Sequence, residues 1–233
     1  MGCDGSSNPP NPDGGQNDAA VDAVKVTRTC WAPPGVSTNP VSISEVVALI
    51  NSLPMPVTVP CFLETLDRPL TAMASRGVIS LQPAFGSRSP RIFLLSPQLV
   101  MTVVPEGKSG TVIEFGQYTA PGRTLKAEIA FPVEAPLTAA APYDRVRSTT
   151  TGTTCRSCHR DEEALVIDGV EGFVSAALAP VFREVIDLVD VQAERRACDA
   201  KVEPFRCAVL GALFDHGEVR EGRFPPEVGT ITR

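Results

Sequence analysis

The sequence predicts an α+β chain: an antiparallel β-rich domain, sandwich- or barrel-like, followed by a small helical domain. Three observations carry this expectation. Between residues 57 and 133, short apolar runs rich in β-branched and aromatic side chains alternate with Gly and Pro turn signals. After residue 159 the pattern changes to longer stretches of helical character. A Pro-, Ala- and Thr-rich segment without periodicity divides the two. The expected organisation is a leader at 1–24, a β-rich domain at 25–135, a linker at 136–154 and a helical domain at 155–233.

The leader reads CDGSSNPPNPDGGQNDAAVD from Cys3 to Asp22. It is nearly free of large apolar residues, so it cannot bury enough surface to offset its ordering entropy, and it is expected to be a disordered tether. A helix is expected at 43–53. Ser42 and Glu45 form a capping box, Ile43, Val46, Val47 and Ile50 give an apolar stripe, and Pro54 stops it. Strands are expected at Val57–Leu63, Gly77–Leu81, Arg91–Leu95, Leu99–Val104, Thr111–Phe115 and Thr124–Phe131. In the last, Leu125, Ala127, Ile129 and Phe131 share one face, with Lys126 and Glu128 on the other. Helices are expected at Gly172–Leu178, Val181–Ala197 and Pro204–Phe214. Pro204 suits a first turn and Gly217 the position after the end.

The chain has 233 residues, 43% of them hydrophobic, and a formal net charge of −6. Its basic residues are scattered, which excludes a nucleic-acid-binding groove. No apolar run reaches the length of a membrane span. With His216 as its one histidine outside the motif at 155–159, the chain offers little material for a Ser-His-Asp arrangement, and no P-loop or dinucleotide fingerprint is present.

Residues 155–159 read Cys-Arg-Ser-Cys-His. Two thiols at this spacing can add across the two vinyl groups of one haem, and the histidine after the second is placed to ligate the iron. On this motif the chain resembles the c-type cytochromes. The resemblance implies one covalent haem c, with Cys155 and Cys158 as thioether cysteines and His159 as the proximal ligand. It implies that 155–233 is a cytochrome c-like domain, and that the protein carries single electrons to or from a redox partner protein. Electron transfer is preferred to an enzymatic role, which stays open. No methionine follows His159, so the sixth iron position is expected to fall to His216, to Met101 or Met73, or to remain open. An open position would suit a haem sensor or a peroxidase-like enzyme. Arg88, Arg91 and Arg156 are candidates to pair with haem propionates. Asp161, Glu162 and Glu163 read as a solvated acidic patch. The rival readings are a zinc site on Cys155, Cys158, Cys198 and Cys207, and a dithiol or disulfide at the CxxC itself.

With Cys3, Cys155 and Cys158 set aside, Cys30, Cys61, Cys198 and Cys207 remain, an even number that fits two disulfides in an oxidising compartment. The expected pairs are Cys30–Cys61 and Cys198–Cys207, one of three possible connectivities. Gly2-Cys3 resembles the end of a bacterial lipobox, which would put a lipid on Cys3 and anchor the protein to a bacterial membrane, in the periplasm or at the cell surface. Met1-Gly2 with Ser6 also matches the loose myristoylation pattern, which belongs to a compartment where haem c is not attached.

Overall fold

The structure, a computed structural model, describes residues 28–149 and 152–231. The expected leader at 1–24 and its Cys3 lie outside the described residues. In chain order the elements are α1 (Ile43–Ser52), α2 (Val59–Thr65), β1 (Leu70–Ser75), β2 (Arg91–Leu95), β3 (Leu99–Val103), β4 (Val112–Ala120), β5 (Arg123–Ala130), α3 (Ala141–Val146), β6 (Arg147–Thr149), β7 (Gly152–Thr153), β8 (Glu163–Ile167), β9 (Val170–Ala176), β10 (Leu178–Ala179), β11 (Val185–Ile186), α4 (Leu188–Arg196), α5 (Pro204–Phe214), β12 (Val219–Glu221) and β13 (Gly229–Thr230).

One nine-stranded mixed sheet runs in the order β11-β1-β2-β3-β4-β5-β9-β8, with β12 added to β1. The pairings along this order are antiparallel, and β12 joins β1 in parallel. The alternation of each strand sorts the sheet into two unlike faces. Leu94 opposes Met101, Met101 opposes Phe115, and Phe115 opposes Ala127, so all four share one face. That face joins a single core with Ile43 and Ile50 of α1, Phe62 of α2, Val191 of α4 and Leu210 of α5. Each fully buried Leu, Ile or Phe here contributes about 1.5–3 kcal/mol. The other face carries Arg91, Phe93, Thr102, Glu114, Tyr118, Thr124 and Lys126, and it lines a cleft.

The expected β-rich domain followed by a small helical cytochrome c-like domain is therefore corrected. Residues after 155 supply β8, β9, β11 and β12 to the same sheet that residues 70–130 build, and α4 and α5 to the same core. Gly172–Leu178, expected to be helical, lies in the strand β9 as far as Ala176 and reaches β10 at Leu178. Its Gly172 lies so close to the neighbouring strand that a Cβ would come within 2.6 Å of Leu125 Cδ1. Val181–Ala197 is helical over Leu188–Arg196, with a 3₁₀ turn and β11 before it. Val57–Leu63, expected as a strand, contains the start of α2. There Thr58 accepts a cap hydrogen bond from the Cys61 amide and Pro60 occupies the first turn, which outweighs the β-branched composition. Gly77–Leu81 forms no strand, and Leu70–Ser75, with no strand expected, forms β1. The expected linker holds α3 and the β6–β7 hairpin. The helix expected at 43–53 is α1, with Ser42 Oγ accepting from the Glu45 amide at 3.2 Å and Glu45 accepting from the Val41 amide at 2.9 Å.

Two disulfides fasten this helical layer. Cys30 is bonded to Cys61, tying the first described segment to α2, and Cys198 is bonded to Cys207, tying the turn after α4 to α5. Beside the second, the buried Arg206 pairs with Glu194 at 2.6 Å and Glu203 at 2.7 Å. Leu210, fully buried between α5 and the sheet, has no room to be replaced by a smaller side chain without leaving a void. Leu210→Ala is expected to lower the unfolding free energy by about 3 kcal/mol, read from urea denaturation, with no change of fold in the far-UV spectrum.

Candidate functional site

Cys155, Cys158 and His159 are presented by one tight turn. The 3₁₀ segment Thr154–Ser157 opens on Thr153, whose hydroxyl accepts from the Cys155 amide at 3.1 Å. The Cys155 carbonyl then accepts from the amides of Cys158 at 3.1 Å and His159 at 2.9 Å. Thr153 is itself held by Glu162, which accepts from its amide at 2.9 Å and its hydroxyl at 2.5 Å. Glu163 pairs with Arg123 at 2.6 Å. Asp161 and Glu163 are exposed, as a solvated acidic patch requires, while the half-buried Glu162 braces the turn.

The turn lies over the polar face of the sheet, and between them is a cleft of two chambers, with about 80 and 90 Å³ of room for water-sized groups. Both chambers are bordered by Arg91, Phe93, Glu114, Cys155 and His159, so they communicate along the turn. Phe224 closes the first chamber, packing edge-on against Phe93 at 5.3 Å between ring centroids. Leu81, Leu178 and Ile79 add apolar wall.

His159 is held from the end of β9. Its Nδ1 lies 2.7 Å from the Ala176 carbonyl oxygen. Two acceptors at that distance would repel, so Nδ1 carries the proton and donates it, and Nε2 keeps the lone pair. Nε2 has no hydrogen-bond partner among the described residues. Burial first, and the neighbouring Lys126 charge second, lower the imidazole pKa to about 4. At neutral pH the ring is thus uncharged, with one nitrogen fixed by a carbonyl and the other free to bind a metal.

The two thiols are unbonded, Cys155 half-buried and Cys158 exposed, whereas the other four described cysteines are paired. Burial pushes the Cys155 thiol up, the opposite of what activates a redox dithiol. Cys198 and Cys207, bonded to each other, are not free to complete a four-thiolate zinc site, and among the described residues no group of three or more His, Cys, Asp or Glu is placed to hold a metal ion.

The candidate sixth ligands are not gathered here. His216 has a side chain 3% exposed and lies with Nε2 3.6 Å from Glu64 of α2, on the helical side of the sheet. Met101 faces the core. Met73 opposes Phe93, on the cleft face of the sheet, yet it borders neither chamber. Of the three arginines considered for propionates, Arg91 lines both chambers, paired with Glu114 at 2.6 Å. Arg88 pairs with Glu194 and Glu203 beside α4 and α5, and Arg156 is exposed and borders neither chamber.

Three participants were not singled out in the sequence: Lys126, Tyr118 and the Ala176 carbonyl. Lys126 is buried, with its Nζ 2.6 Å from Thr124 Oγ1 and 3.3 Å from both Ala176 O and His159 Nδ1, and burial lowers its pKa to about 8. Tyr118 lines the first chamber with a buried hydroxyl that has no partner. Alternation alone could have flagged Lys126, since it lies opposite the core face, but that pattern marks a solvent-facing lysine equally well.

The chain matches no protein-family model, no curated protein and no solved structure.

A folded-state pKa below the unfolded one means that the unfolded chain binds the extra proton first. The stability linked to His159 is therefore intact above pH 6.5 and lost as pH falls toward 4. In protein made without haem attachment, this loss should reach about 3 kcal/mol across that window, and His159→Gln should flatten it, as read from urea titrations at each pH.

Proposed function

We propose that this chain binds one haem c covalently, through Cys155 and Cys158, with His159 Nε2 as axial ligand, and that it works in single-electron transfer outside the cytoplasm. The observation that carries the reading is the state of His159. Its ring is neutral, its Nδ1–H is committed to the Ala176 carbonyl, its Nε2 is without a partner, and it sits one residue from an unbonded thiol pair at the edge of a cleft. A proximal haem ligand needs this tautomer and this second hydrogen bond.

The residues present fit the group. Phe93, Leu81 and Leu178 supply apolar wall that would suit a porphyrin, and Arg91, already paired with Glu114, places a guanidinium beside it. Among the described residues, Arg91 Nε and the Tyr118 hydroxyl are buried and without a hydrogen-bond partner. When bound, the haem would supply the ferric–ferrous couple. The chain's own residues fix the ligand tautomer, shield the site from water and place a positive charge beside it. Two disulfides suit the oxidising compartment in which haem c is attached. Lipid attachment at Cys3 and docking of a redox partner protein belong to the same proposal.

One observation favours a second reading of the role. The cleft is bordered by no methionine and by no histidine other than His159. A bound haem would then find no second side-chain ligand among the described residues of the cleft and could admit an exogenous one, as a haem sensor or a peroxidase-like enzyme requires.

The first test is a pyridine haemochrome spectrum of protein exported in a host that attaches haem c. A haem c spectrum that resists acid-acetone extraction and disappears in a Cys155→Ala/Cys158→Ala variant is expected; colourless protein would end the proposal. Carbon monoxide added to the ferrous protein then reads the opposite face. A shifted Soret band is expected for the open position, and an unchanged one would return the protein to the class of six-coordinate carriers.

A further inference from the structure

We infer that Lys126 is a positioning residue for His159: by sharing the Ala176 carbonyl with the imidazole Nδ1–H, it limits how strongly Nε2 donates to iron and so raises the reduction potential of the site. The inference rests on the haem reading above.

The three groups meet at one oxygen. The Ala176 carbonyl accepts from His159 Nδ1 at 2.7 Å and from Lys126 Nζ at 3.3 Å, and Nζ is also 3.3 Å from Nδ1 itself. A carbonyl that accepts from Nδ1–H draws the proton toward itself and makes the ring more electron-rich at Nε2. An ammonium on the same oxygen takes up part of its accepting capacity. Its charge, held against the ring, opposes the same build-up of electron density. Both effects weaken donation from Nε2 and favour the reduced iron.

The charge is not cancelled locally. Among the described residues no carboxylate lies within ion-pair distance of Lys126. Glu114, the carboxylate on the neighbouring strand, is engaged by Arg91 at 2.6 Å, and Glu162 is engaged by Thr153. Thr124 Oγ1, at 2.6 Å, steers the ammonium without neutralising it. An unpaired buried cation is costly. The fold nevertheless holds one in the middle of a strand, between Leu125 and Ala127, both buried in the core, and directs it to the imidazole.

The test is spectroelectrochemical titration of the haem-loaded full chain, wild type against Lys126→Met, Lys126→Gln and Lys126→Arg, at pH 7. The expected result is a lower midpoint potential in both neutral variants and recovery toward the wild-type value in Lys126→Arg, with haem attachment unchanged in the haemochrome spectrum. Two neutral variants are used so that a packing fault in one does not decide the outcome. Equal potentials in all four loaded proteins would overturn the role of Lys126 and leave the haem reading standing. A wild-type protein that takes up no haem would overturn the reading on which the role rests.

Discussion

The pairing of β5 with β9 is the constraint on which the site depends. Lys126 opposes Phe173 and Thr124 opposes Ser175 in this ladder, which fixes the end of β9 and therefore the Ala176 carbonyl beside the lysine. The chain reaches β9 from the turn that carries the two thiols, and the amide of Ala176 donates back to the Arg160 carbonyl at 3.0 Å. His159 is thus tied at both ends, by its own turn and by the strand that crosses it. A register slip of one residue would turn Lys126 toward the core and remove the carbonyl from the imidazole at the same stroke.

That constraint also explains why the sheet has unlike faces. One face is closed by helices and needs only apolar contacts. The other is closed by an irregular turn, whose backbone polar groups must be satisfied from the sheet and from itself. Glu162 on Thr153, Arg123 on Glu163 and on the Asp161 carbonyl, and the Ala176 amide on the Arg160 carbonyl meet that need. The charged residues of the strands are consequently not a solvent coat. Arg91, Glu114 and Lys126 lie in a partly apolar cleft, where charges act on one another more strongly than they would in water.

Much of the local structure was legible in the sequence, because it is set by local chemistry. The capping of α1 by Ser42 and Glu45, the span of α5 from Pro204 to Phe214, and β2, β3 and β5 follow from caps, turn residues and alternation. The failures have long-range causes. β9 contains Gly172, Ala176 and apolar residues at mixed spacing, a composition that a helix would also tolerate; only the partner strand decides it. α2 is rich in β-branched and aromatic residues, and its cap and Pro60 decide it instead. The motif Cys155–His159 was plain in the sequence, but its surroundings were not, since Lys126 and Ala176 reach it from 33 and 17 residues away.

The same packing keeps His216 and Met101 away from His159. His216 closes α5, and α5 packs on the helical face of the sheet, so its imidazole lies against Glu64 of α2 with the sheet between it and His159. Met101 is one residue out of phase with Val100 and Thr102, which border the cleft, and alternation therefore sends it to the core. Neither can be brought to the cleft without inverting a strand or unpacking a helix, each of which would expose fully buried side chains.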